Sequence, residues 1–531
     1  MAEENIQPLG QQTLHDGRVA ASTRLTPVGD KTRGSMIVPP TTVVPVIFVP
    51  GIMGSNLRDA NTKKSVWNTN SALSIFLQWV FRSASTRQSR LMPKMAEVDP
   101  DGRWYGQSAT VPDEKTGKAR GQGTTSRAFY GDFVRWLDDR LNGHANVTAE
   151  GAPTPWDAMV DKGVGQWHPE RVAQTLTSGN ANFAWDNFFC PVHVEGYNWL
   201  QSNGDSGKDL AKNIKAIIAQ WNGKSQGKDG PTFKCEKVIL VSHSMGGLVT
   251  RAAVHADFGA AADLVVGIVH GEQPANGAAA AYHHCRSGYG GISGWVLGRN
   301  AAQVTAVFAN SPGAMELLPN QQYPKKWLKA KVGSNPAAVI ELPEADPYPE
   351  IYSKKEPWWR LVDPSLIDPS RKIKKPWNSY LSNVNSTSKF HHTLGKGYHR
   401  QTCVHYGVDT KKYPAFGDLI WHSETGTGVS KVALCGARPT DGSNPVSVDS
   451  RLGGKRLRFS IVDPEDVGYP QAGDDTVPAC SGEAPNVQGG SNVKQSFRLT
   501  GFKHQAAYDN DAVRQVTLYA ICMLLQQVKV R

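Results

Sequence analysis

The sequence predicts an α/β fold built on a mostly parallel, doubly wound sheet. Apolar runs at 190–196, 237–241 and 263–270 are too uniformly hydrophobic to have one wet face, which is typical of strands covered on both sides. A segment of helical spacing, 205–221, separates the first run from the second, and another such segment follows the second. This alternation of strand and helix favours parallel strands joined by crossover helices.

The turn between the second strand and its helix carries the first candidate site. Residues 242–246 read Ser-His-Ser-Met-Gly, the nucleophile-elbow pattern with Ser242 in place of the usual first glycine. Such a turn lifts the Ser244 oxygen above the edge of the sheet and aims the Met245 N–H at the position of an oxyanion. The alternative is a Ser/Gly-rich turn without chemistry. The strand before the turn and the helix after it favour the nucleophile.

A second glycine turn is the candidate partner of this elbow. The apolar run from Val43 leads into residues 50–55, Pro-Gly-Ile-Met-Gly-Ser, at the carboxyl end of a predicted strand. Sites of open parallel sheets form at that edge. The turn can therefore offer the backbone N–H of Ile52 to the same oxyanion as Met245. An ordinary strand-to-helix turn is the alternative.

The carboxylate that such a site needs is expected on a loop after a late strand. After the predicted strand 457–462 comes Gly-Asp-Asp-Thr-Val-Pro, a compact turn that can hold one carboxylate inward. We assign Asp474 as the acid, with Asp475 as the near alternative, because charge repulsion disfavours two inward carboxylates. Asp463 and Glu465 are weaker candidates since they lie too close to the strand end.

The base is assigned by chain order. Of the 15 histidines, only His504 follows the acid, 30 residues after Asp474 and just before the last predicted helix. In this arrangement His504 takes the Ser244 proton and later protonates the leaving oxygen, while Asp474 orients the imidazole. The amides of Ile52 and Met245 stabilise the oxyanion, and water or a second alcohol resolves the acyl-enzyme.

Length and composition limit the class of protein. With 531 residues, we expect one large α/β core with long insertions rather than two domains. The net charge of +11 suits an anionic partner, and without a nucleic-acid module a phospholipid surface ranks above nucleic acid. Seven scattered cysteines without C-x-x-C pairs predict reduced thiols. No cofactor is called for, and the sequence leaves open whether a metal ion stabilises a loop.

The predicted organisation is a polar N-terminal arm, residues 1–40, followed by one α/β domain, residues 41–531. Insertions at about 56–185 and 278–400 break the strand–helix rhythm, and we expect them to form a lid or cap. Residues 71–85 are apolar and too short to span a bilayer, which predicts a lid or interfacial helix, with a core helix as the alternative.

Residues 354–377 indicate how the protein could meet a membrane, and the N-terminus indicates how it could be exported. Tryptophans alternate with lysine and arginine at 354–377, which favours a membrane interface or an anionic headgroup, or else a cap packed by these side chains. The N-terminus lacks the basic start and apolar core of a secretory signal, and no apolar run is long enough for a membrane span. Action outside the producing cell would then need a separate export machine.

Four motifs, PVIFVPGIMGSNL, GYNWLQSN, SHSMGG and GDDTVP, carry a family resemblance. They resemble α/β-hydrolases of the lecithin:cholesterol acyltransferase and PGAP1-like class, and more closely the lipase effectors of the bacterial type VI secretion system. The similarity covers the core strands and their loops. It implies a nucleophile, acid, base and two oxyanion-hole amides at Ser244, Asp474, His504, Ile52 and Met245. Two positions depart from the pattern, since Ser242 replaces a glycine and Asp475 stands where a glycine is common.

The resemblance also implies a biological role. Proteins of this kind are serine lipases or phospholipases that hydrolyse acyl esters of membrane glycerophospholipids. They are made in the bacterial cytoplasm without a signal peptide and exported to the envelope of a rival cell. The implied partners are a phospholipid surface, an immunity protein, and a secretion spike or adaptor protein. The alternatives are an acyltransferase, a neutral-lipid esterase of the same fold, or a catalytically silent binding module.

Overall fold

The computed structural model describes most of the chain. It covers residues 40–530 except 69–78, 80–81, 144–155, 162, 225–231, 291–295, 336, 427 and 450–455, together with four short N-terminal strands. Those strands, which pair two by two, are Ile6–Pro8, Gln11–Thr13, Val19–Ala21 and Arg33–Ser35. Most of the predicted arm, residues 1–40, and most of the predicted lid segment, residues 71–85, lie outside the described residues.

A seven-stranded sheet forms the centre of the molecule, and we call it the core sheet. Six neighbouring strands are parallel, and the seventh pairs antiparallel at one edge. The mostly parallel α/β architecture predicted from the sequence is therefore confirmed. In spatial order the strands are Pro169–Val172, Val493–Leu499, Thr402–Gly407, Val265–Gly271, Val238–His243, Val46–Val49 and Val192–Val194.

Both faces of the core sheet are covered, which explains the uniformly apolar strands. Ile239 and Val241 enter one hydrophobic cluster, whereas Val238 and Leu240 enter the cluster on the opposite face. Each such buried aliphatic side chain contributes about 1.5–3 kcal/mol relative to an exposed one. Helices that supply residues to the first cluster include Arg127–Asn142, Ser178–Asn187 and Asp511–Leu525, and those that supply the second include Asn203–Trp221, Gly246–Val254 and Pro376–Leu394.

The other elements surround this core. Short strands pair as Thr42–Val43 with Phe188–Phe189, and Leu57–Asp59 with both Ser65–Trp67 and Ala96–Val98. The remaining α-helices of the described residues are Ala84–Arg90, Glu114–Ala119, Asp157–Asp161, Ser178–Asn187, Ala279–Ser287, Ala301–Phe308, Pro312–Met315, Pro376–Leu394, Lys431–Gly436, Ala479–Gly482 and Ala484–Gln488. All seven cysteines are unpaired, as their scattered spacing predicts.

A second sheet of six strands forms a separate layer with its own hydrophobic core, which includes Trp327, Trp358 and Trp421. We call residues 278–395 and 410–470 the accessory region. Neighbouring strands of its sheet run antiparallel except for one parallel pair. In spatial order they are Ile340–Leu342, Leu328–Val332, Leu419–Ser423, Arg456–Ile461, Val446–Asp449 and Arg438–Asp441.

One strand lies in a different sheet from the one we expected. The strand predicted at 457–462 belongs to the accessory sheet, as Arg456–Ile461, and not to the core. The core strand ahead of the acid turn is Thr402–Gly407, after which residues 410–472 leave the core and return at Gly473. The alternating exposure of Arg456–Ile461 explains the difference, since a strand with one wet face does not fit a sheet covered on both sides.

Candidate active site

The elbow turn is a tight reversal between strand Val238–His243 and helix Gly246–Val254. Ser244 occupies its apex with φ 52°, a left-handed conformation that costs a non-glycine residue about 1–3 kcal/mol. The Ser244 N–H donates to the carbonyl oxygen of Gly271 on the neighbouring strand at 2.9 Å. A Cβ on Gly246 would lie 2.5 Å from two backbone oxygens of the strand end at Val49 and Pro50, so only glycine fits there.

Three predicted residues meet at this turn. Ser244 Oγ lies 2.8 Å from His504 Nε2, and His504 Nδ1 lies 2.8 Å from Asp474 Oδ2. An ionised carboxylate only accepts, so Nδ1 carries a proton and Nε2 offers its lone pair to the Ser244 hydroxyl. The exposed fractions are small, at 4% for Ser244, 1% for Asp474 and 7% for His504. The arrangement is that of a nucleophile, a general base and an orienting acid.

The acid turn holds one aspartate inward and turns the next one out. Asp474 Oδ1 accepts from the Val477 N–H at 2.7 Å and the Thr476 N–H at 3.2 Å, and its carbonyl accepts from the His504 N–H at 2.7 Å. Asp475 has φ 74°, is exposed, and accepts from the Thr476 hydroxyl. Of the two alternatives, the structure brings Asp474 to His504. The weaker candidates of the sequence lie in or beside the short turn Pro464–Asp466.

Burial and charge act in opposite directions on the imidazole. Burial lowers the pKa of His504, but the charge of Asp474 and its hydrogen bond raise it, and Glu272 and Asp475 add to the increase. The outcome is a pKa above the ordinary value of histidine. Negative charge around the ring therefore favours the protonated form of the His504 imidazole.

The glycine turn at residues 50–55 lies against the elbow. A Cβ on Gly51 would be 3.0 Å from Ser244 Cβ, which leaves room for glycine only. The turn is held from two sides, because Gly51 N–H donates to Tyr130 Oη at 3.2 Å and the Tyr197 hydroxyl donates to the Pro50 carbonyl at 3.0 Å. Tyr197 belongs to the GYNWLQSN motif, whose part in the site is thus to support this turn.

Two backbone donors next to the nucleophile have no partner of their own. Within the described part of the chain, neither the Ile52 N–H nor the Met245 N–H donates a hydrogen bond. Met245 follows Ser244 directly at the start of the elbow helix, and Ile52 follows Gly51, whose Cα faces the Ser244 side chain. Free amides in such positions can bind an oxygen that gains negative charge.

Sequence reasoning missed several buried groups at this site. Tyr130 lies on helix Arg127–Asn142, inside the predicted first insertion, and nothing in its local sequence signals a role. Glu272 is fully buried at φ 49° and pairs with His405 Nδ1 at 3.0 Å. Its position just past strand Val265–Gly271, at the carboxyl edge of the sheet, is the signal that could have found it.

The tryptophan-rich segment of the accessory region divides into two parts. Trp358 and Trp359 are buried in the accessory core and Trp377 is half-buried. The aromatic residues therefore fit the alternative in which these side chains pack within a cap. Lys355 Nζ lies 6.0 Å from the Trp377 ring centroid, which brings two basic runs together. Six cations there are exposed and make no ion pair: Lys354, Lys355, Arg371, Lys372, Lys374 and Lys375. We call these six residues the basic patch.

Two other kinds of feature are absent from the described residues. No group of three or more His, Cys, Asp and Glu side chains there could hold a metal ion. No helix of the same residues combines the length and the apolar character that crossing a bilayer requires.

Comparison with known proteins relates this chain to a solved structure. No protein-family model matches the chain, and no curated protein matches it in sequence. Among solved structures, a chain of the Tle4–Tli4 complex is 32% identical and superposes with a TM-score of 0.78. The match covers 92% of this chain and 99% of that chain. Identity and coverage at this level indicate shared descent as well as a shared fold.

Proposed function

The chain belongs to the family of type VI lipase effectors that includes Tle4, and from this membership we propose that it is a serine lipase acting on acyl esters of membrane glycerophospholipids. The single observation that supports the chemistry best is the hydrogen-bonded series Ser244, His504 and Asp474, with both contacts at 2.8 Å. The likeness to the lecithin:cholesterol acyltransferase class rests on the sequence motifs and is part of this proposal.

The proposed reaction has two halves. In the first, Ser244 Oγ attacks the ester carbonyl carbon while His504 Nε2 takes its proton, and the amides of Ile52 and Met245 bind the tetrahedral oxyanion. His504 then gives the proton to the leaving glycerol oxygen, which yields an acyl-serine and a lysophospholipid. In the second half, His504 takes a proton from water, hydroxide attacks the acyl carbon, and the fatty acid leaves as Ser244 regains its proton.

We infer the partners and the location of the protein from its family. The neighbour was crystallised as a Tle4–Tli4 complex, which supports an immunity protein as a partner of this chain. We propose export by the type VI system to the envelope of a target cell, and a secretion spike or adaptor protein as carrier. Co-purification of the tagged chain with the product of a neighbouring reading frame, with loss of lipase activity in the complex, tests the first of these partners.

The basic patch supports an anionic phospholipid surface as the place of action. Each cation close to such a surface contributes about 1 kcal/mol of binding energy at physiological salt. Changing the five lysines of the patch to glutamine in the Ser244→Ala background should weaken binding to phosphatidylglycerol vesicles by about 100-fold or more. The control changes five exposed lysines without ion pairs elsewhere: Lys64, Lys115, Lys212, Lys215 and Lys396. Equal weakening by both sets would show that only net charge matters.

We propose that the insertions at about 56–185 and 278–400 form the lid and cap of an acyl pocket, with residues 71–85 as the lid segment. Trp79, a described residue of the lid segment, is buried against Trp67 with ring centroids 5.7 Å apart. Removing apolar side chains from 71–85 should lower activity on micelles more than activity on soluble short-chain esters. Equal loss on both substrates would contradict a lid and indicate a core helix.

The deciding experiment measures fatty acid release from phosphatidylethanolamine and phosphatidylglycerol vesicles by mass spectrometry. We expect the wild type to leave lysophospholipid and Ser244→Ala to release fatty acid at least about 10³-fold more slowly. Acyl transfer to a lipid alcohol with little free fatty acid would make the protein an acyltransferase. Activity on neutral esters alone would make it a neutral-lipid esterase, and failure of Ser244 to react with a fluorophosphonate would leave a binding module.

A further inference from the structure

The residue before the nucleophile, His243, is buried and hydrogen-bonded at both ring nitrogens. Its Nε2 lies 2.9 Å from the carbonyl oxygen of His504, the proposed base. Its Nδ1 lies 2.9 Å from the Tyr130 hydroxyl, and that hydroxyl accepts from the Gly51 N–H at 3.2 Å. One imidazole therefore joins the turn that holds Ile52 to the loop that holds His504.

The chemistry of the partners sets the direction of every hydrogen bond in this series. A backbone carbonyl only accepts, so the proton of His243 sits on Nε2 and is donated to His504. Nδ1 must then be the acceptor, and the Tyr130 hydroxyl donates to it. The Tyr130 oxygen keeps its lone pairs for the Gly51 N–H and for the side chain of Gln505, the neighbour of His504. No donor faces a donor.

His243 stays neutral within this series of hydrogen bonds. Burial holds the pKa of His243 well below its ordinary range, and the nearby His504 lowers it further. The two rings lie 4.9 Å apart between centroids, so a charged His243 would oppose the imidazolium that His504 becomes during the reaction. A neutral ring holds both neighbours without that repulsion.

We propose that His243 is a positioning residue. It holds the turn at residues 50–55 and the segment that begins at His504 at fixed distances from Ser244, and Tyr130 connects it to Gly51. The proposal rests on the proposed serine-lipase function. Misplacing reacting groups by about 1 Å costs on the order of 10²-fold in rate, and this is the error that the series prevents. Tyr130 contributes from a position 113 residues before His243, which is why sequence spacing does not show it.

The test uses the full-length protein and a soluble short-chain ester, so that phospholipid specificity does not enter. His243→Phe keeps a ring but loses both bonds, and we expect kcat to fall about 10- to 100-fold with KM within about twofold. Tyr130→Phe loses only the hydroxyl and should lower kcat less. Because both residues act through one series, the double variant should be no slower than His243→Phe alone.

The pH profile separates positioning from general loosening. The His504–Asp474 pair raises the His504 pKa. Loss of the bond to the His504 carbonyl weakens the hold on that pair, so the His504 pKa should fall and the acid limb of kcat/KM should move to lower pH in His243→Phe. It should not move in Tyr130→Phe. His243→Gln, whose amide offers one donor and one acceptor, should recover part of the loss. Tyr105→Phe, which removes a buried hydroxyl bonded to Thr125 in the same cluster, is the control and should keep wild-type kcat.

Fluorophosphonate labelling of Ser244 gives a second readout that needs no lipid. Slower labelling in His243→Phe and Tyr130→Phe, with normal labelling in Tyr105→Phe, supports the proposal even if the natural substrate is another ester. Wild-type rates in both variants would overturn it, and so would additive losses in the double variant. If His243→Phe does not fold, His243→Gln and Tyr130→Phe carry the same comparison. Labelled wild type that leaves phospholipid intact would refute the proposed substrate and not the positioning role.

Discussion

The core sheet and the accessory sheet follow different physical rules. Every residue of the core strand Val238–His243 is buried, whereas the accessory strand Arg456–Ile461 alternates between buried and exposed. A sheet covered on both faces holds its strand ends in place by packing. Ser244 and Asp474 lie in turns at that edge, and His504 begins the short 3₁₀ helix His504–Asp509 beside them. A sheet with a wet face carries charge instead. The comparison teaches that the candidate site and the basic patch belong to separate layers of this molecule.

The largest loss of activity should come from a change at the edge of the core sheet, at the proposed acid Asp474. Asp474→Asn keeps the size of the side chain but loses its charge and the correct tautomer of His504, so kcat should fall about 10²- to 10⁴-fold on a soluble ester. Asp475→Asn is the matched control one residue away and should keep the wild-type plateau rate, because its side chain is exposed. Equal loss in both would mean that the turn as a whole, and not one carboxylate, is required.

A substitution in the hydrophobic core of the accessory region should lower the free energy of unfolding and leave the rate of ester hydrolysis unchanged. Trp358 donates to the Leu434 carbonyl at 3.1 Å and stacks on Phe459 with centroids 4.4 Å apart. Trp358→Ala should lower the free energy of unfolding by about 3–5 kcal/mol in urea titrations. Trp377→Ala, at a half-buried position, should cost less. A small loss for Trp358→Ala would instead favour a tryptophan that serves a membrane surface.

Two glycines, one in the core and one in the accessory region, allow the effect of a single added methyl group on stability to be compared. A Cβ on Gly246 in the core would meet two carbonyl oxygens at 2.5 Å, so Gly246→Ala should cost about 1–3 kcal/mol of stability and slow the ester reaction. Gly436, in the accessory helix Lys431–Gly436, has nothing within 4 Å of its Cβ position. Gly436→Ala should therefore raise stability by about 0.5–1 kcal/mol. Thermal unfolding of both variants measures the difference.

The smallest expected effect is a shift in pH dependence. The proposed reaction needs neutral His504, and the pKa of His504 lies above the ordinary value, so kcat/KM should rise with pH through that pKa and then level off. The charge of Asp475 is one of the causes of the increase. Asp475→Asn should move the acid limb to lower pH, so that it is faster than wild type on the limb and equal on the plateau. A limb that stays in place would show that solvent screens this charge.

The core could be predicted because its signals are local. The elbow at Ser244 needs only a strand, a short turn of small residues and a helix, and chain order then selects His504 and a carboxylate near Asp474. The choice between Asp474 and Asp475 needed the fold, since both occupy the same turn. The prediction that the strand before the acid turn belongs to the core sheet is wrong for Arg456–Ile461, although the alternating sequence of this strand indicates one wet face.

The supporting groups could not be predicted from spacing. Tyr130 meets Gly51 across 79 residues and His243 across 113 residues, and each contact exists only because the helix Arg127–Asn142 packs under the core sheet. The buried tryptophans of the accessory region and a membrane-facing belt have the same composition. Burial of Trp358 separates the two readings, and burial is a property of the folded chain.

Residues 410–472, which pass through the accessory sheet, leave the core and rejoin it at neighbouring positions. Asp409 N–H donates to the Gly473 carbonyl at 2.8 Å, and Gly473 N–H donates to the Asp409 carbonyl at 3.0 Å, so residues 410–472 begin and end at one point beside Asp474. The entropy cost of closing such a loop grows by only about 0.6 kcal/mol for each doubling of its length. Descendants of one ancestor could therefore lengthen, shorten or exchange this stretch while the acid keeps its place. The junction therefore lets residues 410–472 vary in length without moving Asp474.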